Sequence, residues 1–273
     1  MIEYLKSILF GIVEGITEWL PISSTGHMIL LDEFMSLDAS EAFINMFIVV
    51  IQLGAIMAVV VMYFKKLWPV SRENGHLTIQ KKTMSMWLKI IVACIPAALV
   101  GLLFDDVLET VFYNYQTVAI SLIVFGIFFI LIENRNKKIA PKITSIDDIS
   151  FKNALVIGFF QLLAAVFPGV SRSGSTIIGG LLVGVSRTVA AEFTFFMAVP
   201  VMFGASLLKI LKFGMNFTTN EILILLIGML TAFIVSIFVI KFLMEYIKKH
   251  DFKVFGWYRI VLGVVVILYF MFS

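Results

Sequence analysis

Apolar residues run along this chain in blocks long enough to cross a bilayer, which takes about 20 mostly apolar residues in a helix. Six such blocks stand out, at 42–64, 86–104, 115–133, 188–210, 221–243 and 255–272. Two further hydrophobic regions, 2–36 and 151–186, are broken midway by "LPISSTGH" and "FPGVSRSGST". Proline, glycine and hydroxyl clusters of this kind stop helices. Non-helical backbone at membrane depth survives only where protein buries it or a polar cavity receives it. Both regions therefore read as re-entrant helical hairpins that dip into the membrane and return to the same side. The pattern predicts an all-α polytopic membrane protein, a single membrane domain over residues 1–273.

The two broken regions align with each other. Setting "GIVEGITEWLP-ISSTG" (11–26) above "GFFQLLAAVFPGVSRSG" (158–174) pairs Gly11 with Gly158 and Glu14 with Gln161. The same register pairs Pro21 with Pro168, Ser23 with Ser171 and Gly26 with Gly174. The chain thus reads as two repeats, 1–140 and 150–273, each a re-entrant hairpin followed by three transmembrane helices. Three crossings is an odd number, so the second repeat should be inverted relative to the first.

Loop charge gives an independent reading of orientation. Lys65, Lys66, Arg72, Lys81, Lys82 and Lys89 face a single acid, Glu73, in 65–89. Arg135, Lys137, Lys138, Lys142 and Lys152 mark 134–152, and Lys241, Lys248, Lys249, Lys253 and Arg259 mark 241–259. By the positive-inside rule these stretches are cytoplasmic. The stretches 32–41 (Asp32, Glu33, Asp38, Glu41) and 104–114 (Asp105, Asp106, Glu109) hold no Lys or Arg and should face outward. The first hairpin then enters from outside and the second from the cytoplasm, and their tips should meet, the layout in which membrane proteins build polar sites. Composition agrees: 60% of the residues are hydrophobic, 14% are charged, and mean hydropathy is +1.03, well outside the range of soluble domains. Cys94, the single cysteine, excludes an internal disulfide and cysteine-based metal sites.

Ionisable groups are costly inside a membrane and mark function by default. Glu14 and Glu18, spaced i, i+4, lie on one helix face a turn apart. Two such carboxylates repel unless a cation joins them, and an all-oxygen set favours Mg2+ or Ca2+ over zinc; both glutamates are the candidate metal ligands. His27, the one histidine of three placed in a hairpin, follows Ser23, Ser24 and Thr25, so that Ser24 and His27 can form a nucleophile–base pair. The second tip offers Ser171, Arg172, Ser173 and Gly174, a small-residue loop running into a helix N-terminus. Such loops hold phosphate through free amides and the helix dipole, and Arg172 adds a fork matched to phosphate oxygens. Candidate catalytic residues are therefore Ser24, His27, Glu18, Glu14 and Arg172. Arg172, Ser171, Ser173, Gly174, Ser23, Thr25 and Gln52 are the candidate substrate-binding set, with Asn45, Gln52 and Glu192 as supporting polar groups on neighbouring spans.

"EGITEWLPISSTGH" (14–27) together with "PGVSRSGST" (168–176) resembles the signature pair of the bacterial undecaprenyl-pyrophosphate phosphatases, the bacitracin-resistance membrane family. The resemblance extends through "VVIQLGAIMAVVV" (49–61) and "SRTVAAEFTFFMAVPVMFGA" (186–205). It implies a hydrolase of the bacterial cytoplasmic membrane that converts undecaprenyl pyrophosphate to undecaprenyl phosphate and inorganic phosphate, recycling the carrier for cell-wall synthesis. It implies a divalent cation and a site open to the extracytoplasmic side, with the acidic motif on Glu14 and Glu18, the serine–histidine element on Ser24 and His27, and the arginine on Arg172. Ser24 is the preferred nucleophile; a phosphohistidine on His27 and attack by metal-bound water stay open. The expected partners are a polyprenyl pyrophosphate lipid and the bilayer, with a second copy of the chain as a candidate partner and no nucleic acid. The rival reading is a transporter or flippase of polyprenyl phosphate, since inverted repeats with broken helices are also transporter architecture. A soluble-type acid phosphatase site would need a second catalytic histidine, and neither His76 nor His250 is suitably placed.

Overall fold

The computed structural model describes residues 1–73, 76–137, 139–214 and 216–272, and the side chains of Glu73, Asp105, Asp106 and Glu109 lie outside that description. Those acids and Lys138 belong to the loop-charge pattern above, which rests structurally on the remaining loop residues. The chain is nearly all helix and carries six apolar helical segments long enough to span a membrane. It is a multi-pass membrane protein.

The first broken region folds as α1 (Ile2–Thr17) and α2 (Ser24–Met35), and the second as α8 (Phe151–Val166) and α9 (Arg172–Leu182). Each helix is shorter than a full span. The first predicted span is α3 (Glu41–Val50) running into α4 (Gln52–Met62), separated by a tightened turn in which the Gly54 amide donates to the Ile51 carbonyl at 3.0 Å. A single turn, α5 (Phe64–Leu67), leads to an antiparallel hairpin of β1 (Val70–Glu73) and β2 (His76–Ile79). That hairpin is a short addition to an all-α bundle: the β-formers Val70, Thr78 and Ile79 pair across a stretch classified from its charge as plain loop.

The remaining spans are α6 (Lys81–Phe112), α7 (Tyr115–Asn136), α10 (Arg187–Phe213), α11 (Thr219–Lys249) and α12 (Lys253–Phe272). Several overrun the predicted limits, since backbone hydrogen bonding carries a helix on past its apolar core, and capping fixes the start of α7 and of α11. Asn114 caps the Thr117 amide at the start of α7, and Thr218 and Glu221 form a reciprocal capping box at the start of α11. Two loop expectations change as a result. The 104–114 stretch is mostly the last turns of α6, and most of 241–259 is helix, with Arg259 buried inside α12.

Packing brings the tips together. α1 lies on α11, α8 on α6, and α7 on α12, while α10 sits centrally against α3, α4, α6 and α9. Close approach of α7 and α12 uses Gly126 and Gly256, the small-residue contact expected where lipid gives helices no hydrophobic reason to associate. Trp19, fully buried in the first tip, meets Phe195 of α10 edge-to-face at 5.2 Å. This wedges the interruption against the middle of the bundle.

Candidate active site

Both interruptions close by the same local device. Ser23 and Ser171 are the two non-glycine residues with positive φ among the described residues, at 75° and 68°. Each caps the following helix, accepting from the Gly26 amide at 3.3 Å and the Gly174 amide at 3.1 Å. A serine held in that region costs about 1–3 kcal/mol, and such strain concentrates at functional sites. What it achieves here is geometric: it turns the residues that follow, Ser24 and Arg172, toward each other.

Glu18 is where the tips join. Its carboxylate accepts the Ser24 hydroxyl at 2.6 Å on one oxygen and the Arg172 guanidinium at 2.8 Å on the other. Ser173 donates to the Glu18 carbonyl at 3.1 Å, and Ser171 and Ser173 share a 3.2 Å hydroxyl contact. Arg172 also donates to the Thr194 carbonyl of α10 at 3.0 Å, and Thr176 bonds the Thr194 hydroxyl at 2.8 Å. Glu18 and Ser173 are buried and Arg172 nearly so. Glu14, one turn below Glu18, is fully buried, and neither of its carboxylate oxygens has a hydrogen-bond partner among the described residues. Its carboxylate feels the repulsion of Glu18 and the attraction of Arg172.

His27 sits differently from the sequence expectation. Its Nδ1–H donates to the Ser23 carbonyl at 2.7 Å, so a neutral ring accepts the Tyr258 hydroxyl on Nε2, also at 2.7 Å. The His27 and Tyr258 rings stack at 5.6 Å, within 6° of parallel. Ser24 therefore gives its hydroxyl to Glu18 rather than to His27. Thr25 lies one residue from this contact, half-buried. Gln52, half-buried at the start of α4, has no hydrogen bond to the cluster among the described residues. Glu192 pairs with Lys66, leaving Arg172 to Glu18.

Arg259 was missed, having been counted among loop charges. Fully buried, it donates to the carbonyls of Pro21 at 3.3 Å, Gly169 at 2.8 Å and Val170 at 2.7 Å, so one guanidinium ties both tips. A Cβ on Gly174 would lie 2.7 Å from its Nη1, so glycine there leaves room for the clamp. An arginine seven residues into an apolar helix was the available signal. Thr194, Thr176 and Tyr258 gave none, being ordinary residues of apolar stretches.

Sequence comparison extends over nearly the whole chain. Residues 7–265 match the family described as Bacitracin resistance protein BacA. The chain belongs to that family. It is 66% identical to the undecaprenyl-diphosphatase of Desulfitobacterium hafniense, over 99% of this chain and 97% of the relative. It is also 66% identical to undecaprenyl-diphosphatase 1 of Clostridium acetobutylicum, over 99% and 98%. An Enterococcus faecalis undecaprenyl-diphosphatase shares 62%, over 98% and 97%. In this BacA-family chain the Glu18–Ser24–Arg172 junction joins the two sequence motifs into one buried polar cluster.

Proposed function

We infer that this chain is a membrane-embedded undecaprenyl-diphosphatase, which hydrolyses undecaprenyl pyrophosphate to undecaprenyl phosphate and inorganic phosphate. It thereby recycles the carrier for cell-wall synthesis and confers resistance to bacitracin. Near-complete coverage at 66% identity by enzymes of that name carries the reading. Purified protein in detergent should release phosphate from undecaprenyl diphosphate. Lipid movement across sealed vesicles with no phosphate release would support the flippase reading instead.

For the chemistry we propose that Ser24 is the nucleophile and Glu18 the group that receives its proton, a role supported by their 2.6 Å contact. Ser24 Oγ bonds to the terminal phosphorus, the bond to the bridging oxygen breaks, and the lipid leaves as its monophosphate. Water then attacks the same phosphorus, His27 Nε2 takes the water's proton, Glu18 returns its proton to Ser24, and phosphate departs. Arg172 and the free amides of the second tip offset the charge on the transferring group. Rapid-quench experiments with labelled substrate should trap phosphate on Ser24 in the wild-type protein and on no residue in Ser24→Ala. Label retained on His27 in Ser24→Ala would reverse the assignment.

The acidic pair suits a divalent cation. Glu14 offers two buried oxygens with no hydrogen-bond partner among the described residues, and Mg2+ is commonly held by one or two carboxylates plus substrate phosphates. Among the described residues no cluster of three His, Cys, Asp or Glu side chains could hold an ion unaided, so Mg2+ or Ca2+ would sit on Glu14 and Glu18 together with the lipid's phosphates. When bound, the ion would neutralise charge on the diphosphate. Glu14→Gln should therefore raise the Mg2+ concentration for half-maximal turnover at least tenfold, measured by metal titration after chelation, while thermal stability stays near wild type or rises.

We also propose that the chain is an inverted repeat with re-entrant hairpins, lying in the cytoplasmic membrane with its site open outward. Exchanging each helix for its counterpart in the other repeat turns the α1–α11 contact into α8–α6, and α4–α11 into α10–α6. Gly11 meets the Gly228 carbonyl of α11, and its counterpart Gly158 meets the Ala93 carbonyl of α6. The matching Ser23 and Ser171 caps support the same reading, and loop charge supports the orientation.

A further inference from the structure

The catalytic cluster is nearly sealed, with Glu14 fully buried and Glu18 and Ser24 at 4% and 9% exposure. A polyprenyl diphosphate must bring its headgroup into that cluster while its tail stays in lipid. Its path is therefore a seam between helices. Most neighbours of the cluster close such seams by tight packing: α12 on α7 with backbones touching at Gly126 and Gly256, and α9 on α8 and α10.

The seam between α2 and α12 differs. Among the described residues α2 packs closely on α1 alone and is only loosely seated against α12. Aromatic side chains bridge them at two levels. At the inner level His27 stacks on Tyr258 with the 2.7 Å hydroxyl bond. At the outer level Phe34 meets Tyr269, ring centroids 4.9 Å apart. The helices run the same way, since His27 precedes Phe34 and Tyr258 precedes Tyr269. Tyr258 is 45% exposed although its hydroxyl reaches the catalytic histidine, so one side chain touches both the site and the lipid side. Beyond it Val265, Leu268, Tyr269 and Phe272 form a shallow apolar surface on α12.

We propose that the α2–α12 seam is the lateral doorway for the substrate lipid, with the isoprenoid tail lying along α12 and Tyr258 latching the inner end on His27. The proposal rests on the phosphatase reading and names where that substrate passes. The clamp of Arg259 on both tips holds the α12 backbone beside the site, so opening requires only that aromatic side chains rotate. Release of Tyr258 also frees His27 Nε2 for the water that completes the reaction.

The test is a reversible lock. Phe34→Cys and Tyr269→Cys in a Cys94→Ala background are bridged by a short bifunctional thiosulfonate, and full-length protein in detergent micelles is assayed before bridging, after it, and after reduction. Two substrates are compared, undecaprenyl diphosphate and a short-chain prenyl diphosphate that dissolves in water. The doorway predicts at least a tenfold loss of turnover on the long lipid in the bridged protein, less than a twofold change on the short one, and recovery on reduction. Undiminished turnover of the long lipid in the bridged protein overturns the proposal. Equal loss of both substrates overturns it too, because the soluble diphosphate has no tail to thread. Unbridged protein that hydrolyses neither would instead remove the phosphatase reading, and the doorway with it.

Discussion

Arg172→Ala lowers kcat by about a thousandfold, as expected when a donor aimed at developing phosphoryl charge is removed from a buried site. The reason lies in the charge balance of the cluster. Glu14 and Glu18 sit a helical turn apart, and Arg172 is the cation bonded to Glu18 at 2.8 Å. A diphosphate adds further negative charge to the same space. Without the guanidinium, the carboxylates repel both the ligand and each other, so KM rises as well. Arg172→Lys keeps the charge but cannot reach Glu18 and the Thr194 carbonyl together, as the planar fork does at 2.8 and 3.0 Å. Its kcat should fall between those of alanine and wild type. Phosphate-release kinetics on protein that elutes as a folded species decide the matter, and an alanine variant within tenfold of wild type would refute the assigned role.

The membrane-spanning helices were readable in advance because hydropathy and helix length are coupled by bilayer thickness. The six expected spans coincide with α3–α4, α6, α7, α10, α11 and α12 to within a few residues at most ends. The residues of the polar cluster could be picked out where a polar residue interrupted grease, at Glu14, Glu18, His27 and Arg172. Pairings were not. Nothing in a run of apolar residues says that Glu18 rather than His27 accepts the Ser24 hydroxyl, since that depends on the strained φ of Ser23 and on which helix face turns inward. Arg259 and Tyr258 were hidden for a different reason. They stand early in α12, where the nearby Lys248, Lys249 and Lys253 made the arginine resemble one more interfacial charge. The β1–β2 hairpin was overlooked because its basic residues were read only for membrane side, although the intervening Asn-Gly pair is a hairpin signal in sequence.

Arg259→Leu should lose the fold rather than the chemistry. Arg259 has no bond to Glu14, Glu18 or Ser24 among the described residues; its hydrogen bonds go to the carbonyls of Pro21, Gly169 and Val170. Those carbonyls belong to the two stretches whose backbone is not satisfied by helix, and no water reaches the hydrocarbon to replace a lost donor. Each buried acceptor left unpaired costs about 1–3 kcal/mol. Relief of the desolvation of a buried guanidinium offsets part of that sum, leaving a net loss of about 3 kcal/mol by the same reckoning. The apolar surroundings would otherwise welcome leucine, since Phe125 and Phe129 face the guanidinium at about 6 Å. A drop in the midpoint of thermal aggregation in detergent, with the folded remainder showing a depressed kcat, is the expected result. Arg259→Lys, with donors radiating from one nitrogen, can serve fewer of the three carbonyls and should melt between leucine and wild type. The contrast with Arg172 is the decisive measurement. The two arginines stand in one cluster, yet alanine at 172 should leave a folded, silent protein while leucine at 259 separates the tips themselves. If Arg259→Leu melts like wild type and keeps its turnover, the tips are held by their own caps and by Glu18 alone, and the clamp has no structural role.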